Sequence, residues 1–197
     1  MKHHGGIAST LTTFAASLLA IGAVAADRAT LKAGVFEPPR AAPELSLEAS
    51  SGGKLALANY RGKVVLLGFG FSSCPEVCPT TLATLAQARK RLGAQAEQLQ
   101  VVYVTVDPER DNTERMRAYL RGFDPSFVGG SGTPDQLAAV RKNYGVMAER
   151  KPFGDSYTVA HSSSVYVIDQ KGLLRGMMPY GRLPDDYVHD VRALLSE

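Results

Sequence analysis

The chain carries two cysteines, four residues apart in Cys74-Pro75-Glu76-Val77-Cys78-Pro79. In the first turn of a helix, residues at that spacing share a face with Cβ atoms about 5–6 Å apart, so both sulfurs can address one small object. That object is a metal ion, or each sulfur is the other's disulfide partner. A disulfide is geometrically allowed, since bridged Cα atoms lie about 4.4–6.8 Å apart. It would restrain little: the chain-entropy estimate is about 2 kcal/mol for a loop of roughly five residues against about 4.7 for a loop of roughly a hundred. A helix N-terminus favours the thiolate, the form that attacks disulfides and binds metals. Pro79 fits there because proline in the first helical turn loses no helical hydrogen bond. Two soft thiolates with a third ligand suit Cu(I), although two cysteines, a histidine and a water also serve zinc.

The third ligand has few sources. Of the four histidines, His3 and His4 lie at the extreme N-terminus. His189 falls off the Val188/Val191/Leu195 stripe of a C-terminal helical pattern and is expected in solvent. His161 stands just before an apolar strand pattern, Ser164 to Asp169, where folding can bring it beside the start of the cysteine helix. Met147, Met177 and Met178 bear thioethers that Cu(I) accepts, but methionines in strand patterns usually fill cores.

Alternating strands and helices must position these groups. Leu45–Leu47 and Lys54–Leu57 flank Ser50-Ser51-Gly52-Gly53, a hairpin signal. Lys63–Phe71 is a nearly continuous apolar run, as in a strand buried on both faces. Thr80–Leu92 has a helical stripe closed by Gly93, and Leu99–Val106 returns as a second buried strand, which makes a right-handed βαβ unit. Asp111 with Glu114 predicts a capping box and a helix to Arg121; Thr133-Pro134-Asp135-Gln136 predicts another to Tyr144, before Gly145. Ser164–Asp169 and Leu173–Met177 flank Gln170-Lys171-Gly172 as a hairpin, and a C-terminal helix follows. The expected fold is α/β and thioredoxin-like: a central mixed sheet, an N-terminal β-hairpin and flanking helices.

The remaining sequence sets the compartment. A weakly positive start, an apolar stretch from Ile7 to Ile21 and the small-residue site Ala23-Val24-Ala25 predict a signal peptide over residues 1–25. Left uncleaved, it would be a short membrane tether. An exported, periplasmic location follows. Residues 26–43, with Pro38, Pro39 and Pro43, read as an extended arm, and residues 44–197 as one domain. Lys plus Arg number 22 against 19 Asp plus Glu, interspersed, which argues against a nucleic-acid-binding stripe.

Three ordered segments, G-F-G-F-S-S-C-P-E-V-C-P-T-T-L (68–82), V-T-V-D-P-E-R-D (104–111) and A-H-S-S-S-V-Y-V-I-D (160–169), closely resemble the Sco/SenC proteins, copper chaperones for cytochrome c oxidase assembly. The resemblance runs from about Leu45 to the C-terminus. It implies that Cys74, Cys78 and His161 bind one copper per chain, as Cu(I) or Cu(II), loaded by an upstream copper donor and passed to the dinuclear copper site of oxidase subunit II. It also implies that the same dithiol can reduce that subunit's cysteines. The family often has an acidic residue before the histidine, where this chain has Ala160. Asp107, Glu109 and Asp111 belong to the family's D-P-x-x-D turn; turn formation and helix capping account for the two aspartates without metal ligation.

The competing class is an enzyme, a dedicated periplasmic thiol-disulfide reductase in which Cys74 and Cys78 are the catalytic redox pair. A thioredoxin-type reductase normally shows C-x2-C, and a peroxiredoxin would place threonine where Phe71 stands. Both comparisons weigh against generic catalysis and leave reduction of one partner open.

Overall fold

The computed structural model describes residues 1–3 and 30–197; nearly all of the segment expected as a signal peptide lies outside them. The described elements are β1 (Gly34–Ala41), β2 (Leu47–Ala49), β3 (Lys54–Leu55), β4 (Val64–Gly70), α1 (Val77–Leu92), β5 (Leu99–Thr105), α2 (Thr113–Arg121), β6 (Val128–Ser131), α3 (Pro134–Tyr144), β7 (Ala148–Phe153), β8 (Ser156–His161), β9 (Val165–Ile168), β10 (Leu173–Met178) and α4 (Pro184–Leu195). Eight strands form one mixed sheet in the order β1-β10-β9-β4-β5-β6-β2-β3, while β7 and β8 make a separate hairpin.

The two apolar runs occupy the centre, as their composition requires. Every residue of β4 and β5 is buried, and the strands pair in parallel from Val64 opposite Leu99 to Gly70 opposite Thr105. β6 continues the parallel set, β9 closes antiparallel on β4, and the β2–β3 hairpin joins beyond β6. Successive side chains of β4 point to opposite sides of the sheet. Phe69 stacks on Tyr144 of α3, while the other side, at Gly70, faces Cys78 of α1. Helices α1, α2 and α4 therefore cover one face and α3 the other.

Two expectations shift at their edges. The proline-bearing segment before Pro43 contributes β1, which pairs with β10 in a register broken between Val35 and Arg40, so the sheet begins before residue 44. The cap of α2 is Asn112, whose side chain accepts the Arg115 amide hydrogen, rather than Asp111. Asp111 is fully buried and serves as a strut between chain segments. Its carboxylate accepts hydrogen bonds from the Ser72 amide at 2.9 Å, the Ser72 hydroxyl at 2.5 Å and the Thr105 hydroxyl at 2.8 Å, and its carbonyl accepts from Ser131. The turn that leads to Cys74 is thereby tied to the ends of β5 and β6.

Asp111→Ala should cost about 2–4 kcal/mol, because three donors lose a buried charged acceptor at once. Chemical unfolding of the variant beside the parent chain measures it.

Candidate metal centre

Parallel β4 and β5 end side by side, with the Val106 amide donating to the Gly70 carbonyl at 2.8 Å. Turns that leave the carboxyl ends of neighbouring parallel strands meet over one crevice. Cys74 lies in the turn after β4, and helix α1 starts only at Val77. The pair thus straddles the helix start instead of sharing one helical turn. Cys74 takes a capping role: its sulfur accepts the Cys78 amide hydrogen at 3.4 Å, satisfying one of the free donors of the first turn. Both cysteines are unbridged, Cys74 half-buried and Cys78 buried.

His161 arrives from the opposite direction. It is the last residue of β8, not part of a loop, and pairs across the hairpin with Ala148. Its Nε2 lies 3.4 Å from the Cys78 sulfur, and its ring meets Phe71 edge-on at 5.8 Å. Its Nδ1 is 2.8 Å from the Ser162 carbonyl oxygen, which can only accept, so the Nδ1 hydrogen points there and the Nε2 lone pair faces the sulfurs. One ligand atom from each of Cys74, Cys78 and His161 falls within 4.8 Å of the other two. These three donors could hold a metal ion, and two sulfurs with an imidazole suit a soft or borderline ion rather than one that demands oxygen.

The hairpin that carries His161 is clamped to the turn after β5. Tyr157 of β8 donates its hydroxyl to Asp107 Oδ1 at 2.8 Å. The Arg110 guanidinium stacks 3.9 Å over the Tyr157 ring, bonds the Tyr157 carbonyl and pairs with Asp107. Arg150 of β7 stacks at 3.8 Å from the same ring and pairs with Glu109 at 2.5 Å. The acidic turn thus binds the hairpin, and none of its carboxylates joins the converging donors among the described residues. Ala160 is exposed while His161 is half-buried, because strand neighbours face opposite ways.

Burial overturns the expectation of a helix-activated thiolate at Cys78. Desolvation pushes the thiol up to about 12, outweighing the Tyr103 hydroxyl and the Phe71 amide, whose proximity favours the anion. Burial also holds the His161 imidazole below the ordinary histidine value, opposed by the Ser162 carbonyl. At neutral pH the metal-free site therefore presents a neutral imidazole and a protonated Cys78.

Sequence reasoning missed Tyr103, Arg110 and Tyr157. The alternate glycines of G-F-G-F were the available signal for Tyr103. One side of β4 has no side chains at Gly68 and Gly70, and the neighbouring strand must fill it. Met147, expected in the core, is 76% exposed, whereas Met178 is fully buried. His189 is half-exposed on α4 and contacts Asp190.

A family model described as SCO1/SenC matches residues 37–196. The chain is 34% identical over 139 residues to the mouse "Protein SCO2 homolog, mitochondrial", covering 68% of this chain and 54% of the relative; it spans about half the length of the first curated relatives it matches. Among solved structures, apo Sco1 from Thermus thermophilus superposes with a TM-score of 0.76 at 34% identity, covering 86% of this chain and 99% of that one. Copper-bound ScoI from Bradyrhizobium japonicum gives 0.73 at 31% identity, covering 79% and 99%.

Iodoacetamide should alkylate Cys74 well before Cys78 in the reduced chain, because only Cys74 is accessible and the buried thiol is held protonated. Peptide mass mapping over a time course gives the order. Arg110→Ala should loosen the β7–β8 hairpin, read as faster amide exchange across Ala148–His161 with little change in β4 and β5.

Proposed function

The chain belongs to the SCO1/SenC family, and on that premise we propose that it binds one copper ion through Cys74, Cys78 and His161 and delivers it to the dinuclear copper site of cytochrome c oxidase subunit II. The observation that carries this reading is the convergence of two sulfurs and an oriented imidazole within 4.8 Å. Copper is the cargo. Three protein donors leave one side of the ion open, so a recipient can place its own ligand before the older bonds break, and transfer proceeds through exchanges between sites of similar strength. His161 also lines a groove of about 490 Å³ together with Met147, Ala160 and Arg141, a surface beside the three donors on which a recipient or an upstream copper donor can rest.

Copper loading requires the dithiol. Oxidation to a Cys74–Cys78 disulfide removes two protons and two electrons and abolishes both sulfur ligands. The same pair supports a second role, reduction of the recipient's cysteines: the accessible Cys74 attacks the partner disulfide as thiolate, and Cys78 resolves the mixed disulfide. Residues 1–25 carry the pattern of an export signal, which supports a periplasmic location, and the working domain extends from strand β1 (Gly34–Ala41) onward. Among the described residues no helix is long and apolar enough to cross a membrane.

Anaerobic titration of the reduced chain with Cu(I), with zinc as competitor, should give one copper per chain. Cys74→Ser and Cys78→Ser should each weaken binding by about a hundredfold or more, while His161→Ala weakens it less and most visibly for Cu(II). Unchanged binding in the histidine variant removes the imidazole from the site.

The pH dependence has a defined sign. Cys78 keeps its proton through neutral pH and copper must displace it, so apparent Cu(I) affinity should rise by at least about tenfold per pH unit around neutrality. His161, with its value lowered, stays neutral there and is lost as a ligand only in acid. Titrations at several pH values, with proton release recorded per copper, check both.

A further inference from the structure

Tyr103 carries a hydroxyl that copper ligation and hairpin clamping leave unused. Its neighbours in β5 are aliphatic, and its ring is 2% exposed, a place where phenylalanine would fill the same volume. The ring lies across the bare side of β4: a Cβ at Gly68 would sit 2.7 Å from two of its ring carbons. A Cβ at Gly70 would sit 2.1 Å from the Tyr103 oxygen and 2.7 Å from the Cys78 sulfur. Oxygen and sulfur therefore adjoin the same small space, placed for a hydrogen bond between them.

Chemistry fixes the direction of that bond once a metal is present. A metal-bound sulfur has lost its proton and can only accept. A thiolate offers no hydrogen, so between the two groups the phenol O–H is the donor. Hydrogen bonds to charged acceptors are stronger than those between neutral groups, so the bond tightens as Cys78 passes from thiol to metal thiolate. The difference favours the loaded state.

We infer that Tyr103 is a positioning residue of the copper site: its hydroxyl donates to the metal-bound Cys78 sulfur, draws charge from it and strengthens copper retention. This rests on the copper reading given above. It assigns different parts to the two sulfurs. Cys78, held from behind by Tyr103, is the retaining ligand, and Cys74, at the accessible rim, is the one a recipient displaces first.

The test is Tyr103→Phe in the full chain, which removes one oxygen and keeps the ring. Cu(I) affinity, measured by competition with a chromogenic chelator, should fall about tenfold. The thiolate-to-Cu(II) charge-transfer band should move to lower energy, because an uncompensated sulfur gives up charge more readily. Tyr103→3-fluorotyrosine, a stronger donor of nearly the same shape, should move both readings the other way. If affinity and band position are unchanged in both variants, Tyr103 is core packing only and the inference is overturned.

A metal-free measurement separates this from failure of the copper reading itself. The Raman difference spectrum between the reduced parent chain and Tyr103→Phe isolates the ring doublet of that tyrosine, whose intensity ratio reports whether the hydroxyl donates. If the parent chain takes up no copper, the copper reading falls and this spectrum decides. A doublet ratio that changes in Cys78→Ala upholds the bond to sulfur, and a ratio that does not depend on Cys78 overturns it.

Discussion

An absent side chain is the constraint on which the site depends. At Gly70 the space a methyl group would occupy is already shared by the Tyr103 hydroxyl and the Cys78 sulfur. A close-packed interior has no slack to move such neighbours aside, so any larger residue would displace the helix start, the tyrosine or both. The bare side of β4 lets α1 approach the end of the strand closely enough for its first turn to place a sulfur inside the protein. Phe69, between the two glycines, faces the other way and anchors the sheet through Tyr144 and Tyr166. One strand thus supplies packing on one side and room on the other.

That burial sets the chemistry of the pair. A helix N-terminus and two hydrogen-bond donors favour the Cys78 anion, yet removal from water opposes it more strongly. The result is a thiol that keeps its proton until an ion arrives to replace it, beside a second thiol with partial access to solvent. A protonated inner sulfur and a reachable outer one suit the proposed handover better than two equivalent thiolates, which would be more open to oxidation.

The histidine completes the site from a separate hairpin, and its placement depends on polar clamping. Asp107, Arg110 and Tyr157 lock the hairpin to the turn after β5 through a hydroxyl–carboxylate bond, a stacked guanidinium and a backbone carbonyl. Within the D-P-x-x-D motif, Asp107 fixes the strand that carries His161 and Asp111 fixes the turn before Cys74. Both aspartates act on the site without being among its converging donors.

Much of this was legible in the residue order. The two buried central strands, the α3 capping box at Thr133 and Gln136, the β9–β10 hairpin and the C-terminal helix follow from local apolar periodicity and turn chemistry, which operate over a few residues. Local spacing made the cysteines a candidate metal pair, and three ordered motifs pointed to His161. Tertiary structure decided what depends on contacts between distant segments: that β1 pairs with β10, that His161 ends a strand of a clamped hairpin, that Asp111 is a strut rather than a cap, and that Met147 is exposed. It also decided the protonation of Cys78, because desolvation is set by everything packed around a group, and spacing within one turn carries no measure of that.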